Sequence, residues 1–376
     1  MELPHAATRE CVRPPQHCKK ELCDVDYSQD PSRILSNYLV HAPKPFNAEP
    51  HLPLLVNSGH ITPADVFFKR NHGPIPDIRL EDHRVYIGVQ RCSQNSQGNP
   101  ADVEWKVLDM HDIMTKWPKV TITASLQCAG NRREGLAQVK EVKGVIWKAG
   151  TISNAVWSGP RLCDILRSVA GVPCDLHHEM IRNFHVSFEA DDHVKEDACY
   201  GSSIPLRKAM DPLGDTILAY EKLDYKILPP WIDSSNVDSA WDSTPSLGEM
   251  NVQSVICTPM DKEVIMSSKP VIVKGYAISG GGRAIYRVEL SVDGGKKWEP
   301  VDKIEQTPDK ISGMYWSWAL WEKKVSKIHT TSQFVVRAYD SSGNMQPEFP
   351  IWNYRGVMNN AWYRISNVTQ LPQPNM

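Results

Sequence analysis

Along residues 84–89, Arg84-Val85-Tyr86-Ile87-Gly88-Val89 alternates apolar and polar positions with the two-residue period of a half-buried strand. A second β-rich run, Val120-Thr121-Ile122-Thr123-Ala124-Ser125-Leu126, leads directly towards Cys128. Residues 161–169 instead place apolar side chains at helical spacing, and Gly171 suits the end of that helix. Thr62 and Pro63 suit the N-cap and first position of a short helix continuing through Phe67 and Phe68. The polar stretch 92–99 has no period and predicts a surface loop. The region from about 80 to 222 thus predicts short strands mixed with short helices.

The pattern changes near residue 246. Strand-like runs at 271–273, 285–292, 316–321 and 334–338 follow one another, separated by turn signals. Asp293-Gly294-Gly295 is a hairpin signal, because glycine supplies the positive φ of tight turns. Regular short strands of this kind predict an all-β, immunoglobulin-like sandwich. At the other end, residues 1–50 carry many prolines and few periodic apolar positions, as in a flexible segment, with order expected from about His60. The expected organisation is a flexible segment at 1–50, an α+β domain at 51–245 and the sandwich at 246–372.

Composition narrows the class. A chain of 376 residues accommodates about two ordinary domains, and 41% hydrophobic with 23% charged residues is a globular balance. The net charge of −2 gives no overall field for nucleic acid or an acidic membrane. No apolar run reaches the roughly 18–20 residues that span a bilayer, and neither a secretory signal nor a peroxisomal tripeptide is visible. A soluble intracellular protein is expected, with cytoplasm, mitochondrial intermembrane space and peroxisome undistinguished. The nine cysteines are odd in number, scattered and without a CxxC pair, which argues against a disulfide framework or a structural zinc site.

One cysteine has a distinctive setting. In Leu126-Gln127-Cys128-Ala129-Gly130-Asn131-Arg132-Arg133, the thiol follows a strand and precedes small residues that leave its sulfur uncrowded. Arg132 and Arg133 would favour the thiolate, a soft metal ligand, and guanidinium groups suit an oxyanion. The competing reading is a small core residue, the commoner fate of a lone cysteine.

This segment, together with Phe67-Phe68-Lys69-Arg70-Asn71-His72, resembles the molybdopterin-binding signature of the eukaryotic sulfite oxidase family and of the related nitrate reductases. Further matching stretches are 142–147, 154–159, 200–205 and 352–357, so the resemblance runs from about 45 to 368. It implies a molybdenum–molybdopterin cofactor with Cys128 as the protein's metal ligand. It also implies pterin contacts from Phe68, Lys69, Arg70, Asn71, His72 and Asp192. Arg70, Arg133, Trp147, Tyr225 and Arg355 would form an anion pocket for sulfite, with the C-terminal sandwich as a homodimerisation domain. Convergent arginines would hold a dianion with bidentate geometry that lysine lacks.

Two departures bear on function. The family carries a segment with a His, an Arg and a Lys-containing turn where this chain passes from Glu221 to Asp224 through Lys222 and Leu223 alone. Those two residues reach at most about 11 Å, so the intervening strands have no counterpart. The second departure is the lack of a His-Pro-Gly-Gly haem signature, so no haem is expected in this chain and electrons would pass to an external cytochrome or dioxygen. Three readings follow. Sulfite oxidation leads, ahead of a nitrate reductase-type molybdenum domain and of a catalytically impaired homologue created by the gap.

Overall fold

A computed structural model describes residues 26–75, 77–90, 103–173, 184–190, 200–213, 228–237, 244, 248–265, 270–326 and 332–370. The chain divides into two units. The first comprises Met1–Pro31, Asn71–Thr121 and Trp157–Leu223, and the second Ser32–Arg70, Ile122–Val156 and Asp224–Met376. The unit boundaries fall inside two strands, β5 and β6 below, so sequence order and spatial unit do not coincide.

Order begins well before His60. Strands β1 (Tyr38–Pro43) and β2 (Phe46–Pro50) form an antiparallel hairpin whose second strand is wholly buried. Prolines at 43, 45 and 50 interrupt its alternation, which is why residues 38–50 read as part of a tail. Helix α1 (Leu52–Asn57) follows, with Pro53 in its first turn. The helix expected from Thr62 is a turn instead. The Thr62 hydroxyl accepts from the backbone N–H of Asn154 at 3.0 Å, and the Thr62 N–H donates to the Asn154 carbonyl at 2.8 Å. This long-range pairing takes the group that would have capped the helix.

Strands β3 (Arg84–Gln90) and β4 (Val103–Asp109) pair antiparallel in the first unit, and the stretch 92–99, expected to be a surface loop, lies outside the described residues. Helix α2 (Met110–Thr115) starts at Asp109, whose carboxylate caps the N–H of Asp112. Strand β5 (Val120–Gln127), the short helix α3 (Arg133–Ala137) and strand β6 (Ile152–Gly159) come next, and β5 pairs with β6. Helix α4 (Leu162–Val169) is the expected one, followed by Gly171 at φ 67. Strands β7 (His185–Ala190) and β8 (Tyr200–Pro205) pair antiparallel, and helix α5 (Leu206–Ala209) ends this part.

The C-terminal part is a two-sheet sandwich. Strands β9 (Gln253–Thr258), β10 (Val264–Ile265), β11 (Val271–Ile278), β12 (Ile285–Ser291), β13 (Glu299–Pro300), β14 (Lys303–Glu305), β15 (Ala319–Val325), β16 (Ser332–Asp340) and β17 (Tyr363–Gln370) form it. One sheet has the order β10-β17-β16-β12-β13 and the other β14-β15-β11-β9. Alternating residues such as Val273, Val288, Trp321, Phe334 and Val336 fill the space between them. The run expected at 316–321 becomes a strand only from Ala319, because Trp316 and Trp318 are engaged elsewhere: the Ser125 N–H donates to the Trp316 carbonyl and the Trp318 N–H to the Ser125 hydroxyl. Asp293-Gly294-Gly295 does turn the chain, with both glycines at positive φ, but in a longer loop in which the Asp293 carboxylate accepts from the N–H groups of Lys296 and Lys297.

Buried carboxylates give this sandwich an acid limit. Fully buried Asp340 accepts from Ser279 Oγ, Arg283 Nε, Asn344 Nδ2 and the N–H groups of Ser342 and Asn344. Burial alone would push its pKa up, but these donors outweigh burial and hold it below the ordinary value. Glu289 is lowered in the same way, with burial opposed by Arg337 and Arg287. A depressed carboxyl pKa contributes stability that is present above the unfolded value, about 4, and is lost as pH falls through the folded value. These two carboxylates should therefore make thermal stability fall steeply below about pH 4. Asp340→Asn should shallow that acid limb and cost about 1–3 kcal/mol at neutral pH. Calorimetry across this range checks both, and an acid limb as steep in the variant would remove Asp340 from the explanation.

Candidate functional site

Strand β5 delivers Cys128 to a tightly determined turn. The Cys128 N–H donates to the Thr151 carbonyl at 3.0 Å, and the Cys128 carbonyl accepts from the Asn131 N–H at 2.9 Å. The Met358 N–H donates to the Ala129 carbonyl at 2.8 Å, so the segment after Arg355 is fastened to the same turn. Arg132 closes it in the left-handed region at φ 65 and ψ 23, its N–H donating to the Lys148 carbonyl. Gly130 is required by close approach, since a Cβ there would lie 2.8 Å from the Arg133 guanidinium. The Cys128 thiol is free and half-buried.

The two arginines expected to act on the thiol or on an anion are engaged with main-chain oxygens. Arg133 is buried, its Nε donating to the carbonyls of Arg355 and Gly356 at 3.1 and 3.0 Å and its Nη1 to Val145 at 2.6 Å. Arg132 is 4% exposed, donates from Nη2 to the Ala361 carbonyl at 2.6 Å and lies over the Tyr363 ring. Burial lowers the Arg132 pKa, with Tyr276, Tyr363 and Glu134 opposing it. These bonds brace both arginines against the main chain.

The segment carrying Phe68, Lys69 and Arg70 is pinned beside this turn. The Phe68 N–H donates to Ser153 Oγ at 3.2 Å, two residues beyond the Thr151 that holds Cys128. Lys69 exchanges backbone hydrogen bonds with Ala48 of β2, and Arg70 Nη1 lies 3.4 Å from Asn47 Oδ1. Phe67 and Phe68 stack at 5.6 Å. Burial and then Arg33 lower the Lys69 pKa, whereas Asp65 raises it. A half-buried ammonium near a second cation is a place where an incoming anion relieves an electrostatic cost.

Trp147 is 1% exposed, and its surroundings include residues that sequence reading missed. Glu49, 2% exposed on β2, accepts from the N–H groups of Lys148 at 2.7 Å and Gly150 at 2.6 Å and pairs with His41 Nε2 at 2.6 Å. The His41 ring meets Trp147 edge-on at 4.8 Å. Gly150 is needed here because a Cβ would lie 2.8 Å from the Pro50 carbonyl. Nothing in the proline-broken pattern of 38–50 marked Glu49 or His41 as part of a site.

Phe68, Lys69, Arg70, Cys128, Arg133, Trp147 and Arg355 thus share the second unit, on segments joined to one another by hydrogen bonds. Asn71 and His72 are half-buried and fall in the first unit. Asp192 and Tyr225 lie outside the described residues, as does the junction between Glu221 and Asp224. No group of three or more His, Cys, Asp or Glu side chains suited to a metal occurs among the described residues. A site built here would therefore hold its metal through one thiolate plus ligands that a cofactor brings. The free, half-buried sulfur of Cys128, and the cations Lys69 and Arg70 on a segment tied at Ser153 to the stretch that holds Cys128 at Thr151, fit an anionic, sulfur-coordinated metal cofactor.

Residues 72–230 match the oxidoreductase molybdopterin binding domain, and residues 244–370 match the Mo-co oxidoreductase dimerisation domain. The fold and the site thereby define a molybdopterin-dependent oxidoreductase, an α+β molybdopterin domain followed by an all-β immunoglobulin-like one. Sulfite oxidase from Arabidopsis thaliana is 35% identical over 90% of this chain and 96% of its own. The mitochondrial sulfite oxidase of Homo sapiens is 37% identical, covering 90% of this chain and 67% of its own. The chain belongs to the sulfite oxidase family. An inducible NADH nitrate reductase from Glycine max is also related, at 32% identity over 85% of this chain and 41% of its own. The fold is similar to that of the sulfane dehydrogenase SoxCD from Paracoccus pantotrophus, with a TM-score of 0.64 at 19% identity over 99% of this chain and 96% of that one. The human alignment runs over 390 positions against 90% of 376 residues, so the relatives carry residues without a counterpart here. No helix among the described residues is long and apolar enough to cross a membrane.

Proposed function

We propose that this chain oxidises sulfite to sulfate at a molybdenum–molybdopterin centre held through Cys128, and that a cytochrome or dioxygen outside the chain takes the electrons. The observation that carries this reading is the convergence, within one unit, of the Cys128 turn, the 68–70 segment, Trp147 and the 355–358 segment. When bound, the cofactor supplies the two-electron redox chemistry of adding one water-derived oxygen to sulfite, with release of two protons. The chain's own residues bind and orient. Phe68, Lys69, Arg70, Asn71, His72 and Asp192 hold the pterin. Arg70, Arg355 and Tyr225 meet the sulfite dianion, Trp147 limits the size of the pocket, and Arg133 fixes the Arg355 backbone. The dimerisation domain at 244–370 supports a homodimer.

Sulfite is favoured over nitrate because relatives bearing sulfite oxidase names match at 34–37% identity, against 32% for the nitrate reductase. Purified protein with measured molybdenum should reduce cytochrome or oxygen in a sulfite-dependent way and show little nitrate reduction. Arg70→Gln should raise the KM for sulfite by at least about tenfold with molybdenum content unchanged, since losing a cation opposite a partly dehydrated anion costs on the order of 2–5 kcal/mol. Nitrate turnover exceeding sulfite turnover would reverse the assignment.

The missing family segment, which we place between Glu221 and Asp224, sets how well the centre fills. Its absence removes cationic partners of the cofactor phosphate, each charged hydrogen bond being worth about 1.5–3 kcal/mol. Molybdenum per chain should be low as the chain stands, and restoring the segment should raise metal content and sulfite turnover together. Full loading without the segment would show those contacts to be dispensable and remove the case for an impaired homologue.

A further inference from the structure

The turn that presents Cys128 is fastened to strand β11 of the β-sandwich, on the face that packs against Ala149 and Ile152, by a closed hydrogen-bond circuit. Tyr276 lies on β11, is fully buried, and stacks on Trp318 at 5.7 Å with 29° between the rings. Its hydroxyl donates to the Ala149 carbonyl at 2.8 Å and accepts from Asn131 Nδ2 at 3.0 Å. Asn131 Oδ1 in turn accepts from the Thr151 N–H at 3.2 Å and from Thr151 Oγ1 at 2.9 Å. The circuit ends on the cysteine itself. The Thr151 carbonyl takes the Cys128 N–H, and the Asn131 N–H holds the Cys128 carbonyl. Asn131 and Thr151 are 1% and 0% exposed, so no water competes for these bonds.

We infer that Tyr276 is a positioning residue for Cys128, acting through Asn131 and Thr151 to fix the direction in which the thiol points. This role deepens the reading of Cys128 as the cofactor ligand and rests on it. The physical argument is one of rigidity. An isolated turn of small residues, Ala129-Gly130-Asn131, has little side-chain packing to hold it, and glycine adds backbone freedom. Rigidity must come from the polar circuit, and a buried, fully satisfied network permits one arrangement only. The donor at its far end is dependable, because burial raises the Tyr276 pKa far above neutrality and the hydroxyl stays protonated. The anchoring ring belongs to the sandwich, so the β-domain contributes to the metal site as well as to assembly.

The test uses the full chain prepared without cofactor, with mass spectrometry following the rate at which iodoacetamide alkylates Cys128. Buried Cys163 serves as the internal reference. Tyr276→Phe removes only the hydroxyl, and Thr151→Val replaces a hydroxyl by a methyl at nearly constant shape. Each should speed Cys128 alkylation by about tenfold, the change expected when a turn loses roughly one net hydrogen bond, and leave Cys163 unchanged. Thr151→Ser, which keeps the hydroxyl, should react like the parent chain. Val273→Ala, a core change on the same strand that touches none of the circuit, should lower thermal stability without exposing Cys128. Unchanged Cys128 reactivity in Tyr276→Phe and Thr151→Val, or equal acceleration in Val273→Ala, overturns the inference. Because no cofactor is present, these outcomes are independent of whether Cys128 binds molybdenum. That question is answered separately by metal content and turnover of Cys128→Ser.

Discussion

Cys128→Ser should yield a folded protein whose sulfite turnover falls by at least about 10³-fold, equivalent to about 4 kcal/mol in the activation barrier. The fold survives because none of the bonds that shape this turn uses the Cys128 side chain: the Cys128 N–H goes to Thr151, the Cys128 carbonyl to Asn131 and the Ala129 carbonyl to Met358. Serine preserves all of them. What it changes is the donor atom. A serine hydroxyl is harder and far less acidic than a thiol, so it does not replace a thiolate at a soft metal position. The measurement pairs molybdenum per chain and turnover with a thermal melt. Near-normal turnover with bound metal would show that the cofactor is held without this sulfur. Lost activity with a collapsed melting curve would mean that the side chain was structural.

How much of this could be seen beforehand depended on whether a pattern was local. Helix α4 and strands β3, β5 and β12 were legible over most of their length from local runs of apolar and β-branched residues, whereas β11 and β16 were legible only in part, at 271–273 and 334–338. The hairpin at 38–50 was not, because three prolines break its alternation and its burial comes from partners distant in sequence. The turn at 62–68 was misread for a related reason. Thr62 has the composition of a helix cap, but its hydroxyl is taken by Asn154, 92 residues away. Long-range partners of this kind leave no local signature. The same division holds at the site. Cys128 and the 68–72 segment stood out as motifs, whereas Glu49, Asn131, Thr151 and Tyr276 carry hydrogen bonds that only the folded chain brings together. Arg133 was legible as part of the Cys128 motif, but the carbonyls of Val145, Arg355 and Gly356 that accept from it lie 12 to 223 residues away.

Arg133→Lys should destabilise the cofactor-free chain by on the order of 2–5 kcal/mol, a large effect for an exchange of one cation for another. The guanidinium joins three carbonyls on two segments, those of Arg355 and Gly356 through Nε and that of Val145 through Nη1. It fits there because glycines surround it: a Cβ on Gly130, Gly144 or Gly356 would approach the Arg133 side chain to 2.8, 2.9 or 2.7 Å. An ammonium group is a single donor centre and does not span carbonyls that a planar fork reaches from two nitrogens. At least one buried carbonyl would then lose its partner, at about 1–3 kcal/mol, and the cation would lose part of what compensates its burial. The 355–358 segment would loosen at the same time, so any effect on sulfite affinity would follow from displacement of Arg355. Denaturant unfolding of the cofactor-free protein separates the two roles, because no anion contributes to stability there. A variant as stable as the parent, with only sulfite affinity reduced in the loaded enzyme, would return Arg133 to the anion pocket as a direct ligand. Loss of stability before any cofactor or substrate is added would establish it as the brace that holds Arg355 in place.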